Sequence, residues 1–91
     1  MTRYTIVFTR AAERDFEGLS DRDRVRISRR LDILRDNPRQ HGCVKLEGME
    51  NLYRIRSGDF RILYTLREAL LVITVIRVDN RSDVYRRIGE L

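Results

Sequence analysis

The run Leu70-Leu71-Val72-Ile73-Thr74-Val75-Ile76 constrains the fold most, because Thr74 is its only polar residue. Successive side chains of a strand point to opposite faces, so a strand built from this run is apolar on both. Such a strand belongs inside a sheet, covered on one side by helices and partly buried on the other. It is expected over Leu70 to Val78. Leu52 to Arg56 and Phe60 to Thr65 are also rich in aliphatic and aromatic residues. The breaks Ser57-Gly58-Asp59 and Leu66-Arg67-Glu68 are of hairpin length. Three consecutive antiparallel strands are predicted.

The N-terminal part supplies the cover. Tyr4, Ile6 and Phe8 alternate with Thr5, Val7 and Thr9, the period of a half-buried strand over 3–9. Thr9 is placed to cap a short helix whose apolar side is Ala11, Ala12, Phe16 and Leu19, frayed at Gly18. Ser20 opens a second helix, with Asp23 three residues on and Val25, Ile27, Leu31 and Leu34 as its apolar positions. Asn37-Pro38 ends it, because proline disfavours helical geometry in the residue before it. The expected architecture is α+β in the order β-α-α-β-β-β, an N-terminal strand and a helical hairpin packed on a three-stranded meander. The tail Ser82 to Leu91 is expected to add a helical turn or two. Ninety-one residues suffice for a single domain over 1–91.

No apolar run reaches the roughly 18 residues of a membrane span, and the N-terminus lacks a signal-peptide pattern, so a cytoplasmic protein with no membrane partner is expected. With one cysteine, Cys43, and one histidine, His41, there is no zinc-type cluster, and neither metal nor cofactor is expected. His41 reads as a solvated loop residue and Cys43 as a small residue entering the sheet. The net charge of +5 favours a polyanionic partner, nucleic acid first. Eighteen of the nineteen basic residues are arginine, which suits phosphate recognition but also follows from a GC-rich coding sequence. The arginines between Arg22 and Arg35 share their helix with four aspartates and read as solvated or surface-paired.

The strand period puts Arg54 and Arg56 on one face, and the hairpin returns Arg61 to the same surface. Three neighbouring cations repel one another, and Asp59 is the only acid nearby in sequence to offset them. The cluster is explained if it receives an anion such as phosphate. Charges that keep a sheet edge from aggregating are the alternative. Arg81 and Tyr85 stand four apart beyond the last strand and are weak evidence by themselves.

The stretches Lys45-Leu46-Glu47-Gly48-Met49, Leu52-Tyr53-Arg54-Ile55-Arg56, Gly58-Asp59-Phe60-Arg61-Ile62-Leu63-Tyr64 and Val78-Asp79-Asn80-Arg81-Ser82-Asp83-Val84-Tyr85-Arg86-Arg87 together resemble the RelE/ParE toxin superfamily. The resemblance spans nearly the whole chain, and the final motif is its most specific part. It implies the toxin of a type II toxin–antitoxin pair, of the RelE-like branch that cleaves mRNA in the ribosomal A site. Carried over motif by motif, it implies Arg54, Arg56, Arg61, Arg81 and Tyr85 as active-site residues, with Lys45, Arg54 and Arg56 contacting RNA. The implied partners are a RelB-like antitoxin, the ribosome with its A-site mRNA, and operator DNA only as a toxin–antitoxin complex.

RNA can be cut without metal, by attack of its own 2′-hydroxyl on the adjacent phosphorus. Arg61 and Arg81 would then stabilise the phosphate and Tyr85 would stack on a base or move a proton. Arg54 and Arg56 stand where some relatives carry lysine, and Asn80 where many carry histidine, which leaves the general base unassigned. Glu47 reads as a solvated turn residue rather than the base. Purified protein is therefore expected to cut naked RNA poorly. The runner-up is the ParE-like branch, which poisons DNA gyrase. A third reading is a catalytically silent module that binds antitoxin and operator as a co-repressor.

Overall fold

The computed structural model describes residues 3–40, 42–48 and 50–80. Over these the chain is α+β, with β1 (Thr5–Phe8), α1 (Arg10–Glu17), α2 (Asp21–Asp36), β2 (Val44–Lys45), β3 (Leu52–Ser57), β4 (Phe60–Arg67), a 3-10 turn (Glu68–Leu70) and β5 (Val72–Asp79). The predicted class and element order are present, with β2 as an addition. Two residues are too short to display a period, so sequence pattern alone does not reveal this strand. The predicted helical tail from Ser82 to Leu91 lies outside the described residues, as does His41.

The described strands form one five-stranded sheet in the order β1-β5-β4-β3-β2. β1 runs parallel to β5 from Thr5↔Val72 to Phe8↔Val75, and the other neighbours are antiparallel. The run apolar on both faces is thus an interior strand, with Ile73 and Val75 fully buried. Its start differs from expectation. β4 continues to Arg67, and Leu70 and Leu71 sit exposed in the connecting turn, Leu71 in the left-handed region at φ 55°. An unbroken apolar run carries no internal mark of where strand begins, and leucine rarely takes that conformation.

Local chemistry sets the helix ends. Thr9 Oγ1 accepts from Ala12 N at 3.1 Å, capping α1, and donates to Ile76 O at 2.8 Å, tying the cap to β5. Ser20 Oγ accepts from Asp23 N at 3.2 Å, and α2 stops with Asn37. α2 buries Ile27, Leu31 and Leu34, spaced four and three apart, against Tyr53, Ile55, Ile62, Tyr64, Ile73 and Val75 of the sheet. Each such aliphatic side chain contributes roughly 1.5–3 kcal/mol on burial. Val25 does not join them. It lies a little over half a turn before Ile27 and is 50% exposed.

Asp15 locks α1 to the free part of β5. It accepts from Arg77 Nε at 2.8 Å, Arg77 Nη2 at 3.1 Å and Val78 N at 2.9 Å. The last bond satisfies a backbone donor of β5 beyond the end of β1.

Candidate functional site

The β3–β4 hairpin builds the candidate site. Ser57 pairs with Phe60 across two turn residues, Gly58 and Asp59. Gly58 has φ +60° while Asp59 is not in the positive region, the pattern of a II′ turn, which takes glycine at its first position. A two-residue turn fixes register, and the register places Arg56 directly opposite Arg61. Paired residues have Cβ atoms about 4.5–5.5 Å apart. Arg54 stands two residues from Arg56 on the same face, opposite Leu63. The three arginines expected on one surface are brought together, away from the helices. That face also has its own buried apolar residues, Leu52 and Leu63.

The far side of β4 adds a residue that sequence reasoning missed. Asp79 of β5 pairs with Arg61, so Arg61 stands between a cation and a carboxylate, and Asp79 is buried. Asp59, taken from sequence as the offsetting acid, is in the turn itself. Finding Asp79 needs the β4–β5 register, which shifts between Leu63 and Tyr64 so that Ile76 has no partner. An interrupted ladder cannot be counted from sequence.

Arg61 carries a second mark. Its Nε is shut off from solvent and, among the described residues, has no hydrogen-bond partner. A buried donor left unmade costs about 1–3 kcal/mol. Guanidinium and phosphate pair through two parallel N–H···O bonds.

Lys45 is not brought to this face. It pairs with Tyr53, whose side chain belongs to the helix side of the sheet. There Lys45 lines a groove of about 490 Å³ with Glu47 and Glu50, so its surroundings are acidic as well as basic. Glu47 is exposed in a turn, and Asn80 is exposed just past β5. Arg81 and Tyr85 lie outside the described residues. Among the described residues no three His, Cys, Asp or Glu side chains gather into a group able to hold a metal ion. None of the described helices is long and apolar enough to cross a membrane.

The helix side is braced by aromatic residues. Tyr53 and Tyr64 stack with centroids 5.7 Å apart, Arg39 lies over Tyr53, and Tyr64 Oη donates to Pro38 O at 2.7 Å. Burial first, and then the neighbouring Cys43, raises the Tyr64 phenol well above its ordinary value. This tyrosine is a fixed donor holding the chain just past α2, behind the arginine face.

Residues 6–85 match the family model of the ParE toxin of type II toxin–antitoxin systems, parDE. The chain belongs to this toxin family. Toxin RelG of Mycobacterium tuberculosis is 30% identical over 86 residues, covering 92% of this chain and 98% of RelG. Among solved structures, the toxin–antitoxin complex RelBE2 of Mycobacterium tuberculosis superposes with a TM-score of 0.76 at 27% identity, over 87% of this chain and 99% of that chain. The intact Escherichia coli RelBE toxin–antitoxin complex also gives 0.76 at 27% identity, over 87% and 98%. This member of the toxin family therefore shares the RelE-type sheet on which the arginine face is built.

Proposed function

We propose that this toxin is a ribosome-dependent endoribonuclease that cleaves mRNA in the A site and so stops translation. The observation that carries this reading is the opposition of Arg56 and Arg61, with Arg54 alongside. Like charges held as cross-strand neighbours destabilise a sheet and are offset when an anion binds between them. A scissile phosphodiester is such an anion. The 2′-hydroxyl attacks the adjacent phosphorus in line and the bond to the 5′-oxygen breaks, leaving a 2′,3′-cyclic phosphate and a 5′-hydroxyl. The 2′-hydroxyl proton leaves to a base and the departing 5′-oxygen gains one. Arg61 and Arg81 donate to the phosphate oxygens as charge builds, and preorganised donors of this kind contribute several kcal/mol. Arg54 and Arg56 hold the strand, and Tyr85 stacks on a base or moves a proton.

Among the described residues no histidine or lysine stands among the arginines to take that first proton, and an arginine, with its pKa above 12, is a poor base. The ribosome completes the site by fixing the mRNA in line, so naked RNA is cut slowly. The partner is a RelB-like antitoxin whose acidic and amphipathic segments cover basic and apolar surface, and operator DNA is bound only by the complex. The relatives solved as toxin–antitoxin complexes support that assignment. The toxin acts in the cytoplasm.

The name of the matching family favours a second reading, binding and poisoning of DNA gyrase. Inducing the gene and mapping mRNA 5′ ends on translating ribosomes separates the two. New ends within A-site codons, lost with Arg61→Ala, are expected. DNA damage with intact messages moves the assignment to gyrase, and neither effect leaves the co-repressor.

A further inference from the structure

α2 carries a second arginine cluster on its exposed side. Arg22, Arg26, Arg29 and Arg30 line a groove of about 450 Å³ that Ser57 closes at the end of β3. Their spacings of four, three and one put them on one stripe, which rises about 12 Å from first to last. Among the described residues none of the four makes an ion pair, whereas Arg24 and Arg35 of the same helix pair with Asp21 and Asp32. Asp21, Asp32 and Asp36 thus serve arginines outside the groove, and among the described residues no carboxylate lines it.

The charged side chains of the groove are all donors. Arg30 Nε is buried without a hydrogen-bond partner, and a Cβ on Gly58 would come within 2.5 Å of Arg26 Nη1, so this guanidinium lies on the hairpin turn. Val25 and Ile33, each 50% exposed, flank the stripe with apolar surface on which a ribose or base can rest. A phosphodiester backbone is acceptor-only and repeats, which suits a row of forks. The groove also ends at the hairpin whose other face carries Arg56, since Ser57 and Arg56 are consecutive and point to opposite sides.

We infer that the α2 groove is a docking site for RNA backbone, distinct from the scissile phosphodiester and joined to the arginine face round the tip of the β3–β4 hairpin. The inference rests on the RNA reading above, and it adds a surface that holds RNA without cutting it. The test uses the purified full-length chain and a labelled 12-nucleotide 2′-O-methyl RNA, which lacks the attacking hydroxyl. A 12-base-pair RNA duplex and a DNA duplex of equal length serve as further arms.

Anisotropy titrations over a KCl series compare wild type, Arg22→Gln/Arg26→Gln/Arg29→Gln, and the charge-matched control Arg3→Gln/Arg10→Gln/Arg35→Gln, which leaves the groove intact. Single strands lose about 0.7 in the slope of log K against log salt for each phosphate contact. The groove variant is expected to lower that slope by about 2 and weaken RNA binding at least tenfold, with the control near wild type. Arg22→Gln/Arg29→Gln, which keeps Arg26 on the turn, is expected to give an intermediate loss with an unchanged melting temperature. Equal losses in groove variant and control, a loss confined to the DNA duplex, or reduced antitoxin affinity with RNA binding intact would overturn the inference. Because the probe cannot be cleaved, a result here is independent of whether Arg61→Ala abolishes cutting.

Discussion

Arg56 and Arg61 face each other across the β3–β4 hairpin, two permanent cations at one register position of an antiparallel pair. A fold optimised for stability alone would place opposite charges or an aliphatic pair there. Arg56→Thr is therefore expected to raise unfolding stability by about 0.2–1 kcal/mol in urea denaturation. The same change is expected to lower cleavage of ribosome-bound mRNA. Gain in stability with loss of activity is the mark of a residue retained for its ligand.

Asp15 holds α1 against β5 through three hydrogen bonds, and its ion pair with Arg77 is largely buried, the side chains being 16% and 14% exposed. Asp15→Ala leaves the Arg77 charge and the Val78 N–H without their acceptor. A loss of about 2–4 kcal/mol is expected, measured as a lower denaturation midpoint at unchanged slope. Arg77 pairs with Leu63, which stands opposite Arg54, and Val78 precedes the Asp79 that pairs with Arg61, so cleavage per folded molecule is expected to fall as well.

Tyr64 makes stability fall at high pH. In the unfolded chain its phenol ionises near 10, whereas in the folded chain burial keeps it neutral well beyond that. The unfolded state releases its proton first, so the contribution present below pH 10 is lost as pH rises above it. Tyr64→Phe is expected to cost about 1 kcal/mol at pH 7, from the lost bond to Pro38, and to flatten the alkaline decline. Melting curves from pH 8 to 11 for both proteins check this.

Gly58 is held to glycine by its positive φ, and the Arg26 guanidinium lying against it would have to swing away from an added side chain. Gly58→Ala is expected to destabilise by about 1–2 kcal/mol. Thr9→Ala, which removes the cap of α1 and its tie to Ile76, is expected to cost a similar amount. Chemical denaturation measures both.

What was legible in the sequence was local. Ser20 and Asn37 bound α2 because capping acts within one turn, and Arg54 and Arg56 share a face because residues two apart on a strand do, whereas the break read as Ser57-Gly58-Asp59 proves to be a two-residue turn with Ser57 in β3. What was hidden depends on contacts between distant segments. Lys45 belongs to an edge strand whose pairing with Tyr53 turns it to the helix side, and Asp79 reaches Arg61 only through a ladder interrupted at Ile76. The arginines of α2 look alike in sequence. Arg24 and Arg35 pair with acids three residues before them on the helix itself, whereas the groove that gathers Arg22, Arg26, Arg29 and Arg30 against Ser57 appears only when the end of β3 is packed beside them.

The central claim is that the arginine face cuts a ribosome-positioned message. Its most direct measurement is single-turnover cleavage of a 5′-labelled mRNA on programmed ribosomes by wild type and Arg61→Ala, with analysis of the product ends. The account predicts a 2′,3′-cyclic phosphate at the A-site codon and a rate about 10²–10³ lower for the variant. Equal rates for the two proteins, or no cleavage by the wild type on ribosomes that present an A-site codon, would contradict it.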